Sequence, residues 1–145
     1  SRQKVIYYVM SRLSFVTGHY KSAISYLSKL TSAKSSNERT DIDNYARIMQ
    51  MLSFFVTGKT LSLETISRAV RKTLAKNNNL FRIETLILDF VSMNNKHIYN
   101  KSLIQEKYAA LFNELNQINE TGTKEEKLAL EYIDLIKWAG MQLQK

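Results

Sequence analysis

Phe15-Val16-Thr17-Gly18 returns letter for letter as Phe55-Val56-Thr57-Gly58, with the two starts 40 residues apart. Each copy closes a stretch of helical periodicity and leads into another. Glycine enters the left-handed backbone region at least cost, so Gly18 and Gly58 are expected to end a helix in that conformation. The Phe-Val pair before each glycine supplies a last apolar turn. A phosphate-cradling loop would join a strand to a helix and would use several glycines, commonly with a lysine and a hydroxyl. Here a single glycine joins two helices. A third joint is expected where Phe90-Val91 runs into Asn94-Asn95, with asparagine in place of glycine 37 residues beyond Gly58.

Working outward from the joints, seven segments place apolar residues at the i, i+3, i+4, i+7 spacing of a helix. They cover about 3–17, 20–33, 41–57, 61–77, 80–94, 101–118 and 124–143. Asn77-Asn78-Asn79 is expected to close the fourth in the left-handed conformation. Thr123, with Glu126 three places later, is a capping box that marks the start of the seventh. No stretch of comparable length alternates with period two. The expectation is all-α: one domain over 1–145, with hairpins at about 3–34, 41–77 and 80–118. A C-terminal capping helix at about 124–143 completes it.

Composition agrees. The 145 residues are 44% hydrophobic, include only four glycines and lack proline and cysteine. The absence of cysteine excludes disulfides, thiolate metal sites and thiol nucleophiles. No apolar run approaches the roughly 20 residues that span a bilayer, so no membrane partner is expected. The chain starts at Ser1 without a secretory signal, which we read as a C-terminal piece of a longer, cytoplasmic protein. Residues 1–78 hold 13 Lys/Arg against 4 Asp/Glu, a net +9, while residues 79–145 hold 8 against 9, a net −1. Such a basic half can attract nucleic acid, anionic lipid or an acidic protein, but simple solubility is the reading we prefer.

The stretch Gly18-His19-Tyr20-Lys21-Ser22-Ala23-Ile24-Ser25-Tyr26-Leu27 resembles the turn and second helix of a tetratricopeptide repeat. Gly18, Tyr20, Ala23 and Leu27 match that motif. Its small residue in the first helix falls at Ser11, and its bulky residue four earlier falls at Tyr7. In the second copy Gly58 stands, but Thr60 and Leu63 replace the tyrosine and the alanine. The third copy keeps only the rhythm of paired helices. The 40-residue spacing exceeds the usual 34, with the excess expected in the 32–39 loop. More loosely, the chain is similar to C-terminal helical-repeat regions of uncharacterised bacterial proteins. The resemblance implies a right-handed superhelix of helix pairs, a solenoid acting as a protein–protein interaction scaffold. The first helices of each pair would line the face that takes a peptide, a protein or another part of the parent chain. On that face we place Tyr8, Arg12, Arg47, Met51 and Phe54.

Other candidates are weighed on their residues. Arg68, Arg71, Lys72 and Lys76 share one side of the fourth helix and form a stripe for an anionic partner, nucleic acid being the weaker choice. The stripe carries no aromatic residue for base stacking. A solvated outer face is the reading we prefer for it. His19 and His97 have no carboxylate pair nearby at ligand spacing, so no metal and no cofactor is expected. Asp41 and Asp43 lack the remaining ligands of a calcium loop and suit a first helical turn. Nothing forms a catalytic constellation, so the chain is not expected to be an enzyme. Helix one is apolar almost all round, leaving Tyr7, Tyr8, Val9 and Met10 as an exposed patch. Three roles compete for that patch: packing on a preceding repeat, a homodimer seam, or a groove lining. A sensory or regulatory domain of a larger signalling or transcription protein is the alternative reading of the whole.

Overall fold

A computed structural model describes residues 2–32 and 40–145. The expected excess length at 32–39 falls almost wholly outside the described residues. At the two repeated joints Gly18 has φ 81° and Gly58 φ 75°. Gly18 N–H donates to the Phe15 carbonyl (3.2 Å) and His19 N–H to Ser14 (2.8 Å). Gly58 N–H donates to Phe55 (3.2 Å) and Lys59 N–H to Phe54 (3.0 Å). This pair of bonds is the Schellman closure, which satisfies carbonyls that a helix end would otherwise leave bare. The Thr17 and Thr57 hydroxyls donate to the Leu13 and Ser53 carbonyls, both at 2.8 Å. Three letters of the repeated word therefore have a local task. Phenylalanine enters the core, threonine ties back the last turn, and glycine reverses the chain.

Among the described residues there are eight α-helices and no strand. They are α1 (Arg2–Val16), α2 (Tyr20–Ser32), α3 (Thr40–Val56), α4 (Leu63–Lys76), α5 (Arg82–Asn94), α6 (Lys101–Thr121), α7 (Lys124–Tyr132) and α8 (Leu135–Gln142). Each of α1 to α5 packs on the helix that follows it, and α1 also packs on α3. The third left-handed residue is Asn78 (φ 56°), whose N–H and that of Asn79 repeat the Schellman pair on Ala75 and Leu74. The expected reversal at Asn94-Asn95 does not occur. The buried Asn94 side chain donates from Nδ2 to the Phe90 carbonyl (2.8 Å). Asn95 stays right-handed, and α5 tightens into a 3-10 turn, Asn95–His97.

The segment 124–143 is two helices, not one. The Thr123–Glu126 capping box starts α7, with bonds of 2.9 and 3.2 Å in the two directions. The helix then stops at Ile133, which is extended (φ −134°, ψ 130°). Ile133 and Leu135 would lie on nearly opposite sides of a straight helix. The break lets both be buried, together with Trp138 and Ala139. The outer side of this segment is polar, as a cap should be, but its inner side supplies core. α8 packs along α6 and reaches α1, while α7 contacts α3 and α5. The chain end thus returns to its beginning.

Aromatic rings mark that closure. Trp138, with 0% exposure, stacks on Phe15 at 5.6 Å and meets Tyr108 edge-on at 5.7 Å. Phe55 and Phe90 continue the run from Tyr108 at 6.3 and 5.2 Å. Both phenylalanines of the repeated word therefore belong to one aromatic core. Alanine at position 18 would make an ordinary contact with the Met141 methyl (3.6 Å) but must hold a positive φ. We expect Gly18→Ala to cost about 1 kcal/mol and Gly18→Asn less, read from denaturant midpoints. An unchanged midpoint for the alanine variant would show that the joint is not held left-handed.

Candidate docking surfaces

The face of the first helices is already partly occupied by the chain itself. The Tyr8 hydroxyl donates to the Tyr132 carbonyl (2.6 Å), and Arg12 Nη2 donates to Asp134 Oδ1 (3.0 Å). The Tyr132 ring stacks on Tyr45 at 4.5 Å, and its hydroxyl donates to Asp41 Oδ2 (2.6 Å). Below it, Gln142 Nε2 donates to the Tyr20 hydroxyl (2.8 Å), and its carbonyl accepts from Gln105 Nε2 (2.8 Å). Burial raises the pKa of the Tyr8 and Tyr45 hydroxyls, so both remain neutral across ordinary pH. Of the five residues placed on this face from sequence, Tyr8 and Arg12 thus hold the α7–α8 junction. Met51 is enclosed in the core and offers no surface. Its spacing fitted either side of α3, and packing against neighbouring helices took it inward.

Arg47 and Phe54 remain outward, two turns apart on one side of α3. Phe54 lines a cleft of about 540 Å³ at the second joint, with Gly58, Lys59, Thr60, Leu61, Ile66 and Tyr99. Leu61 is fully exposed and Tyr99 is 85% exposed. Folding gives no reason to extend two large apolar side chains into water around a concavity. Neither was singled out from sequence. Leu61 looked like the first turn of a helix that starts at Leu63 instead, and Tyr99 lies in a connection that carries no periodic signal.

The basic stripe is half neutralised. Arg68 pairs with Glu64 (2.9 Å) and Arg71 with Asp89 (2.6 Å), while Lys72 and Lys76 are exposed. On α1 the expected patch is rearranged. Tyr8 is buried and Tyr7 half-buried, while Val9 and Met10 are joined in solvent by Ile6 and Leu13. His19 Nδ1 lies 2.8 Å from the Thr17 hydroxyl. Among the described residues no cluster of three or more His, Asp or Glu is placed to hold a metal ion. No helix among them is long and apolar enough to cross a membrane.

Among the described residues two side chains of charged type, Lys4 and Glu84, lie inside. Lys4, 3% exposed, pairs with Asp43 Oδ1 at 2.7 Å and so ties α1 to the first turn of α3. Losing the Asp43 carboxylate weakens the compensation of a buried cation. We expect Asp43→Asn to cost about 2 kcal/mol, with Lys4→Met costing less, both read from urea midpoints. Equal losses would mean that burial of the cation does not set the penalty. The second charge is Glu84, 1% exposed on α5. Among the described residues neither carboxylate oxygen finds a partner beyond its own backbone. Burial pushes its pKa up to about 7.

No protein-family model, curated protein or solved structure matches this chain.

Proposed function

We propose that this chain is a non-catalytic interaction module of the helical-repeat kind. It takes a peptide or an extended segment of another protein along the outward side of α3 and into the cleft at the α3–α4 joint. The observation that carries this reading is the pair Leu61 and Tyr99, held out in solvent on either side of a cleft floored by Phe54 and Ile66. A large apolar side chain of a partner would fill the cleft, and Lys59 on its rim favours a neighbouring acidic residue. The opposite side of α3 already holds α7 through the Tyr45–Tyr132 stack, so the outward side with Arg47 and Phe54 is the one left for a partner. The tetratricopeptide-like reading draws support from two Schellman joints of identical sequence 40 residues apart.

Peptide display against the full chain tests the proposal. Selected peptides should share one large apolar residue. They should lose about tenfold in affinity for Leu61→Ser or Tyr99→Ser, which leave the core untouched. Peptides without a common residue, or indifferent to both substitutions, would overturn it.

A further inference from the structure

α1 is oriented against its own polarity. Its inward side carries Lys4 and Ser11 beside Tyr8 and Phe15. Its outward side carries Ile6, Val9, Met10 and Leu13, exposed by 52, 56, 36 and 57%. These four stand at the i, i+3, i+4, i+7 spacing and make one continuous ridge about two turns long. Arg2 extends the same line toward the N-terminus and is exposed. The buried polar pair is compensated. Lys4 meets Asp43, and the Ser11 hydroxyl donates to the Tyr7 carbonyl at 2.7 Å. The exposed apolar ridge has no such compensation within the described fold.

The charge of the hairpin that carries the ridge is one-sided. From Arg2 to Ser32, α1, its joint and α2 hold five cations and no acidic residue. Lys4 and Arg12 are paired with Asp43 and Asp134, which leaves Arg2, Lys21 and Lys29 exposed. A second copy laid on the first would therefore bring like-charged hairpins together. A lipid surface would need apolar side chains free to sink about 5–10 Å below the headgroups. These four are already covered to nearly half by their own neighbours, and no tryptophan or phenylalanine stands among them. A ridge at helical spacing fits the groove of another helix.

We propose that the outward side of α1 docks an amphipathic helix with acidic residues flanking its apolar side. The partner's apolar side chains pack between Ile6, Val9, Met10 and Leu13, and its rim carboxylates face the cationic hairpin. This interface lies on a different surface from the α3–α4 cleft and does not rest on that reading. Being only about two turns long, it is a weak contact that salt loosens, because Arg2, Lys21 and Lys29 are solvent-exposed.

The test uses the full chain and two synthetic helical peptides of about three heptads. Both carry leucine at the first and fourth positions, one flanked by glutamate and the other by lysine. The glutamate peptide should bind and weaken several-fold as salt rises. It should lose about tenfold or more in affinity for Val9→Ser and Leu13→Ser. Both variants should melt like the native chain, since neither position is buried. Equal binding of the lysine peptide, or no binding of either, overturns the proposal. So does binding to phosphatidylserine vesicles that depends on Val9 and Leu13 while the glutamate peptide fails. A concentration-dependent dimer abolished by the same substitutions would name a second copy as occupant and overturn it equally.

Discussion

Raising the pH from 4.5 to about 8 is expected to reduce the contribution of Glu84 to stability by about 3 kcal/mol, and Glu84→Gln is expected to abolish that loss. The carboxyl ordinarily titrates at 4.5 but at about 7 in the folded chain, because burial disfavours the charged form. Below 4.5 both states carry the proton, and the site is neutral in each. Between 4.5 and about 7 the unfolded chain releases the proton while the folded chain retains it, so stability falls as pH rises. Above about 7 both are ionised and the loss levels off. Urea midpoints of the native and Gln chains across this range should converge at the acidic end and separate at the alkaline end, native below variant. The difference isolates Glu84 from every other titrating group. Parallel curves would mean that Glu84 is solvated, contrary to its 1% exposure.

Trp138→Ala should be the most damaging single truncation. It removes a fully buried indole from between α8, α1 and α6. Large-to-small changes of this kind cost about 3–5 kcal/mol, a large share of the stability of a domain this size. The informative readout is where the loss appears. In a linear stack of helix pairs each unit leans only on its neighbours. A defect near the end would then leave α1 unaffected. Here Trp138 stacks directly on Phe15, so amide exchange in α1 should accelerate together with exchange in α8. Acceleration confined to α6–α8 would show that the return of the chain end onto α1 contributes little. Trp138→Phe, which keeps a ring for Phe15 to stack on, should cost markedly less.

The elements legible in the sequence are those set by local backbone chemistry. Gly18, Gly58 and Asn78 reverse the chain because a left-handed residue is cheap there and the carbonyls it satisfies lie within five residues. The Thr123–Glu126 box is local in the same way. The periodicity of the helices is legible for a similar reason, since spacing alone defines an apolar side. Of the surface residues, Phe54 and Arg47 were legible as outward on α3. Leu61 and Tyr99 were not, because their exposure depends on where α4 begins and how the 95–100 connection runs.

What only the tertiary structure decided is which side of an ambiguous helix meets a neighbour. α1 is apolar nearly all round, and Asp43 on α3 drew Lys4 inward, leaving Ile6, Val9 and Leu13 in water. The break at Ile133 has the same origin. A straight helix satisfies its own hydrogen bonds equally well, but it cannot present Ile133 and Leu135 to one core. Local sequence therefore determined the turns at Gly18, Gly58 and Asn78. Contacts between residues more than a hundred positions apart, Phe15 with Trp138 and Tyr8 with Tyr132, decided that its end closes on its beginning.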